Sequence, residues 1–313
     1  MDQLEGPSGS YTIPFALRLE RPLDPAVLAE ALADVAGRHE VLRTVYPAVD
    51  GQPYQRVVEA ARPVLDLVTA GPGGLDAAVD EAAGHVFDLA AELPFRASLI
   101  STDDAQALVL LVHHIAADGW STGPLLADLA AAYEARLAGA APAWLPLPVQ
   151  YADYTLWERA ALDGEASAAH LAYWQQTLGD APPVLELTSS RTRPADASHR
   201  GAATPVDLDA ATHARLEELA LEHGTTLFTV VQAAFAALLT RHGAGTDLPL
   251  GTVTAGRDDE ALSDLVGFSS TPSSCAATPP ATRASRAAAP GSRRPTSRPT
   301  PTRTCPSTWW WSG

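Results

Sequence analysis

The sequence predicts an α/β protein, because strand-length and helix-length hydrophobic patterns alternate through both halves of the chain. Two more observations point the same way. The run Leu108-Val109-Leu110-Leu111-Val112 is apolar at every position, which suits an interior strand covered on both faces. After a loop-like stretch over 181–203, a new series of strand and helix patterns begins.

Tyr11, Ile13, Phe15, Leu17 and Leu19 alternate with other residues, the period of a half-buried strand over 11–19. Asp24-Pro25 reads as an N-cap followed by proline at the first helical position. The helix it opens buries Val27, Leu28, Ala31, Leu32 and Val35. Val41–Tyr46 and Tyr54–Val58 flank Asp50-Gly51, a hairpin pattern. A helix over Leu75–Val86 precedes strands at Phe95–Ile100 and Ala107–Val112. Ser121 is read as the cap of a helix running to about Leu137. Ala140–Pro148 is a Pro/Ala-rich connector, aromatics gather from Tyr151 to Trp157, and Leu171–Leu178 reads as helix. The second series comprises a strand at Thr204–Leu208, helices at Ala210–His223 and Thr225–Arg241, and a strand at Leu248–Val253. Ser269–Gly313 is rich in Pro, Ser, Thr, Ala and Arg, holds no acidic residue, and shows neither helix nor strand period. It is read as a disordered tail.

With 46% hydrophobic and 19% charged residues, the composition is that of a globular protein. A net charge of -16 without a single lysine excludes a nucleic-acid binder, which needs clustered cations to neutralise phosphates. No apolar run approaches the roughly 20 residues that span a bilayer. Met1–Gly6 lacks the basic-then-apolar pattern of a signal peptide, so a cytoplasmic location and no membrane partner are expected. Cys275 and Cys305 both lie in the tail and provide neither a disulfide framework nor zinc spacing.

The candidate chemistry sits in His113-His114-Ile115-Ala116-Ala117-Asp118-Gly119. Adjacent histidines on a strand point to opposite faces, so they make a poor chelating pair, and no metal site is expected. Two readings remain open: a pair of satisfied core histidines, or one catalytic imidazole delivered by a buried strand to a turn. Imidazole titrates where a general base near neutral pH must. Asp118 either orients it or serves as a structural ion-pair partner.

His-His-x-x-x-Asp-Gly, here followed by Trp120-Ser121, resembles the signature of non-ribosomal peptide synthetase condensation domains. Related acyltransferases of the chloramphenicol-acetyltransferase-like fold share that motif. Its company narrows the resemblance: Arg38-His39-Glu40-Val41-Leu42-Arg43-Thr44, Tyr151-Ala152-Asp153-Tyr154 with Trp157, Thr254-Ala255-Gly256-Arg257 and Val266-Gly267-Phe268 stand in the family's order. The resemblance covers 4–268. Trp120-Ser121 favours condensation over epimerisation domains, and the His-His pair sets heterocyclisation domains aside.

The resemblance implies a two-lobed, V-shaped α/β fold of the chloramphenicol-acetyltransferase type. The first lobe would cover 1–165, and an incomplete second lobe 166–268. It also implies amide-bond formation between donor and acceptor thioesters. Both are carried on phosphopantetheine arms of carrier proteins, with an adenylation domain adjacent and no cofactor bound directly. His114 would orient or deprotonate the acceptor amine. His113 would act through folding, and Asp118 would be structural, paired with Arg257 across the lobe boundary. Gly119 would permit close backbone approach and place an N–H near the oxyanion. Arg38 and Arg43 would be scaffold arginines.

The pattern breaks twice. The family opens with a stretch resembling S-x-A-Q-x-R-L-W-F-L, so Met1 is read as an internal or mis-assigned start. After Phe268 the family continues G-F-F-V-N-T and later H-Q-D-x-P-F. Read one base out of phase, Trp309-Trp310-Trp311 (TGGTGGTGG) contains Val-Val. In the same phase Thr302–Ser307 can encode His-Gln-Asp-Val-Pro-Phe, and Ser269-Ser270-Thr271 can encode Phe-Val-Asn. A one-base slip after Phe268 is therefore expected, with 269–313 out of frame and the chain as written inactive. The alternatives are an acyl-CoA-type acyltransferase of the same fold and a non-catalytic fragment or carrier-docking module.

Overall fold

The computed structural model describes residues 9–162, 165–179, 181, 185, 187, 204–257, 259–269 and 271–277. The described residues divide into two compact units, one within 9–161 and 255–269 and one within 162–254 and 271–277.

The first unit is built on a four-stranded sheet. Strand β1 (Thr12–Leu19) leads into helix α1 (Pro25–Arg38), whose N-cap Asp24 accepts the Ala26 and Val27 N–H groups, as the sequence predicts. Leu28, Ala31, Leu32, Val35 and Ala36 line its buried face. The hairpin follows in two short pairings, β2 (Thr44–Val45) with β5 (Arg56–Val57) and β3 (Ala48–Val49) with β4 (Gln52–Pro53). Its turn places Asp50 and Gly51 at φ 51° and 77°, the left-handed pair a tight hairpin turn requires. Glu40–Arg43 is a 3₁₀ turn where the sequence predicts a strand from Val41, and the Thr44 hydroxyl donates to Glu40 O at 2.7 Å beside it.

Strand β6 (Val64–Thr69) was not evident in the sequence, because it is an edge strand with Val64 and Leu67 exposed and no clean alternation. Helix α2 (Leu75–Ala83) carries the chain from β6 to β7 (Phe95–Ser101), the crossover a parallel pair needs. α2 stops short of Val86 at Gly84, a poor helix former. Strand β8 (Gln106–His113) completes the order β1-β8-β7-β6 and is interior, as its apolar run predicts. Leu108, Leu110 and Val112 pack into the cluster shared with α1 and α3 (Thr122–Leu137). Ala107, Val109 and Leu111 pack into the cluster with Leu75 and Phe87. Each fully buried leucine contributes about 1.5–3 kcal/mol. Helix α4 (Tyr151–Leu162) gathers the aromatics, and Tyr154 packs on Leu262 and Leu265 in a third cluster. The described residues of 255–269 thus pack with the first unit, whereas the sequence predicts them in the second lobe.

The second unit holds helices α5 (Glu165–Leu178), α6 (Ala210–Glu222) and α7 (Leu227–Arg241), and strand β9 (Leu248–Thr254). Asp209 and Thr226 cap α6 and α7. Residues 204–208 are not a strand: they pair with nothing among the described residues, and Val206 is 85% exposed. Alternation alone makes no strand without a neighbour to complete its ladder. The reading of everything past Phe268 as unstructured is also corrected. Thr271–Ala277 forms β10, antiparallel to β9 from Thr271↔Thr254 to Ala277↔Leu248. Backbone pairing needs no hydrophobic period, and Thr, Ser, Cys and Ala tolerate extended geometry. The rest of the tail, with Cys305, lies outside the described residues.

Candidate active site

Strand β8 runs through the core and ends on the two histidines. His113 N–H donates to Pro94 O (2.9 Å) and His114 N–H to Tyr11 O (2.7 Å), which fixes both backbones. Their side chains then part. His113 is buried; its Nδ1 accepts the Ile115 N–H at 3.0 Å, which places the proton of the neutral ring on Nε2. The rings of Tyr11 and Phe87 pack beside it. His114 is half-buried, and its imidazole makes no hydrogen bond among the described residues. Its ring contact is Phe268, perpendicular at 4.9 Å between centroids.

Asp118 is 1% exposed and committed on both oxygens. Oδ1 accepts Ser121 N–H (2.9 Å), Ser121 Oγ–H (2.8 Å) and Arg257 Nη2 (3.1 Å). Oδ2 accepts the Ser269 N–H at 3.1 Å. The pairing of Asp118 with Arg257 is therefore present, with side chains 1% and 4% exposed, but it lies within the first unit rather than across a lobe boundary. Arg257 also donates to Leu262 O, Leu265 O and Gly267 O. The Ser121 side chain makes no capping bond to α3: its hydroxyl donates to Asp118 instead and lies 3.0 Å from Gly267 O. Gly267 lies against the Tyr151 ring so closely that a Cβ would collide with it. The Tyr151 hydroxyl donates to Phe268 O at 3.0 Å. Burial pushes its titration far above the ordinary phenol range, so it remains a donor.

Gly119 and Trp120 sit exposed at the turn, with Trp120 52% exposed. Among the described residues nothing would meet a Cβ at Gly119, and its φ is not left-handed. The open space beside it, rather than a tight backbone approach within the chain, is what the structure presents. Arg38 bonds Asp128 (2.8 Å) and Leu145 O (2.7 Å) and lies over Trp144. Arg43 bonds Val58 O and Glu40. Both arginines are spent on scaffold contacts. Asp153 accepts the Gln150 N–H at the start of α4.

Sequence reasoning missed four participants. His39 is fully buried and shares Asp128 with Arg38, at 2.8 Å from Nε2. Ser121 and Phe268 each lay inside a quoted motif, but nothing in their spacing announced a contact with Gly267 or with His114. Asp128 carried no sequence signal, being one acid on a helix face. Among the described residues no group of three or more His, Cys, Asp or Glu is placed to hold a metal ion. No single described helix is long and apolar enough to cross a membrane. A groove of about 400 Å³ lined by Asp34, Arg38, Trp144, Leu145 and Gln150 lacks the histidines, so cavity size does not locate this site.

Residues 1–271 match the family described as the condensation domain. The isonitrile lipopeptide synthase of Mycobacterium tuberculosis is 49% identical over 279 residues, covering 86% of this chain and 11% of that protein. The dimodular nonribosomal peptide synthase of Bacillus subtilis is 47% identical over 273 residues, 85% of this chain and 12% of that protein. This chain thus spans a small part of these relatives. Among solved structures, the X-domain from teicoplanin biosynthesis superposes with a TM-score of 0.80 at 38% identity, covering 87% of this chain and 62% of that one. The first condensation domain of the calcium-dependent antibiotic synthetase, bound to a substrate analogue, gives a TM-score of 0.73 at 22% identity, over 93% of this chain and 70% of that one. That likeness concerns the fold, which is chloramphenicol-acetyltransferase-like.

Proposed function

The chain belongs to the condensation-domain family of nonribosomal peptide synthetases, and from that premise we propose that its fold forms an amide bond between two carrier-bound substrates. The acceptor amine attacks the donor thioester carbonyl, the C–N bond forms, and the C–S bond breaks with release of the donor's phosphopantetheine thiol. His114 orients the amine or takes its proton. One observation carries this reading: His114 is only partly buried at the end of a buried strand, with both ring nitrogens uncommitted among the described residues. His113 beside it is locked by Ile115, and Asp118 is saturated by Ser121, Arg257 and Ser269. The partners in this reading are donor and acceptor carrier domains with an adjacent adenylation domain.

The test is dipeptidyl-thioester formation from two loaded carriers, using protein with the reading frame restored after Phe268. His114→Ala lowers the rate by roughly two to four powers of ten. His113→Ala acts through stability. The 313-residue chain run beside it yields no product. Normal turnover by His114→Ala, with a soluble but inactive His113→Ala, overturns the assignment.

A second reading has one observation in its favour. The teicoplanin X-domain, 38% identical, was also solved in complex with OxyB, so a relative of this fold docks another protein. A docking module has no need of an open imidazole at His114, and it predicts carrier binding that is unchanged in His114→Ala with no turnover in either protein.

A further inference from the structure

Among the described residues no hydrogen bond holds the His114 ring, and the torsion that turns an imidazole about Cβ–Cγ is soft. Packing must therefore set its orientation. The ring contact the structure gives it is Phe268, perpendicular at 4.9 Å. Phe268 in turn sits on a backbone fastened at three successive residues. Gly267 O accepts from Arg257 Nη2 (3.1 Å) and lies 3.0 Å from Ser121 Oγ, and Gly267 N–H donates to Ser121 Oγ (3.2 Å). Phe268 O accepts from Tyr151 (3.0 Å), and Ser269 N–H donates to Asp118 Oδ2 (3.1 Å). Gly267 is required where Tyr151 presses on the backbone.

Resting on the reading of His114 as the reactive imidazole, we propose that Phe268 is a positioning residue for His114, and that Asp118 acts on that histidine through the 267–269 segment rather than by direct contact. The motif's carboxylate and the motif's histidine are then coupled through a side chain far away in sequence. Asp118 and Ser121 hold the strap, Tyr151 and Gly267 set its height, and the Phe268 ring fixes the plane of the imidazole. Phe268 is 40% exposed, so its ring adds little to the core.

The experiment is NMR of the full 313-residue chain labelled at the histidine ring carbons, with the His114 signal identified by its loss in His114→Gln. Phe268→Leu should shift and broaden the His114 ring signal as the ring-current contribution disappears and the imidazole begins to reorient. The melting temperature and the other histidine signals should stay in place. Phe268→Tyr should restore the native signal. Asp118→Asn, which weakens the grip on Ser269, should move the same signal in the same direction. A His114 signal unchanged in Phe268→Leu overturns the proposal. A signal that moves in Asp118→Asn and not in Phe268→Leu overturns the route through Phe268. None of these readouts uses turnover, so failure here is distinct from failure of the His114 assignment, which only the condensation assay reads.

Discussion

Helix α1 in the first unit and helix α7 in the second have nearly the same length, 14 and 15 residues, and both present an apolar face by sequence. Their fates differ. α1 buries Leu28, Ala31, Leu32, Val35 and Ala36 to 1% exposure or less, because β8 and α3 supply side chains on facing surfaces. α7 is the more apolar helix, yet Phe228, Val231, Phe235 and Leu238 remain 46–59% exposed. Its buried residues are Val230 and Ala236, and the cluster around Ala236 holds Leu248, Leu239 and Leu250. Hydrophobic periodicity states what a helix offers; burial depends on what the rest of the described structure places against it. The chemistry follows the packing: His113, His114, Asp118 and Arg257 all belong to the densely packed unit.

The largest stability effect should come from breaking the tie inside that unit. Asp118→Ala leaves Arg257 buried and unpaired, at a cost of roughly 3–5 kcal/mol. Chemical denaturation read by tryptophan fluorescence measures it, and a variant that unfolds at the native midpoint means the pair does not hold the segment. The comparison of the two helices is sharpened by a matched pair of truncations. Leu32→Ala removes a side chain buried to 0% and should cost about 2–5 kcal/mol. Phe235→Ala, half exposed, should cost about 0.5 kcal/mol or less. Equal costs would show that α7 is covered in solution.

The smallest expected effect is a pH slope. Burial holds the His39 titration below the ordinary imidazole value of 6.5, against the opposing pull of Asp128. The folded protein therefore binds fewer protons at His39 than the unfolded chain. That contribution is fully present above pH 6.5 and is lost as pH falls below it toward the folded value. Denaturation midpoints measured between neutrality and mild acid should fall with pH, and His39→Gln should flatten the slope. An unchanged slope assigns the acid sensitivity to other groups.

Much of this was legible in the sequence because local signals sufficed. Asp24-Pro25, Asp50-Gly51 and the unbroken apolar run of β8 each specify an element by themselves. β6 was hidden because an exposed edge strand lacks alternation, and β10 because a ladder forms through backbone groups that the sequence does not display. In the site, the residue types of His114, Asp118 and Arg257 were legible, and so was the pairing of the last two. The Phe268 contact with His114 was not, since a ring approaching from 154 residues further along the chain leaves no local mark. The one-base slip after Phe268 remains a proposal about the gene, and resequencing across codon 268 without finding a slip removes it.

Everything in this account turns on one imidazole being open while its neighbours are closed. Limited reaction of the folded chain with diethyl pyrocarbonate, mapped by mass spectrometry, reads that contrast directly. His114, partly buried and with ring nitrogens uncommitted among the described residues, should be modified, while His113 (7% exposed) and His39 (0% exposed) stay intact until the protein unfolds. Modification of His113 or His39 ahead of His114 would contradict the account.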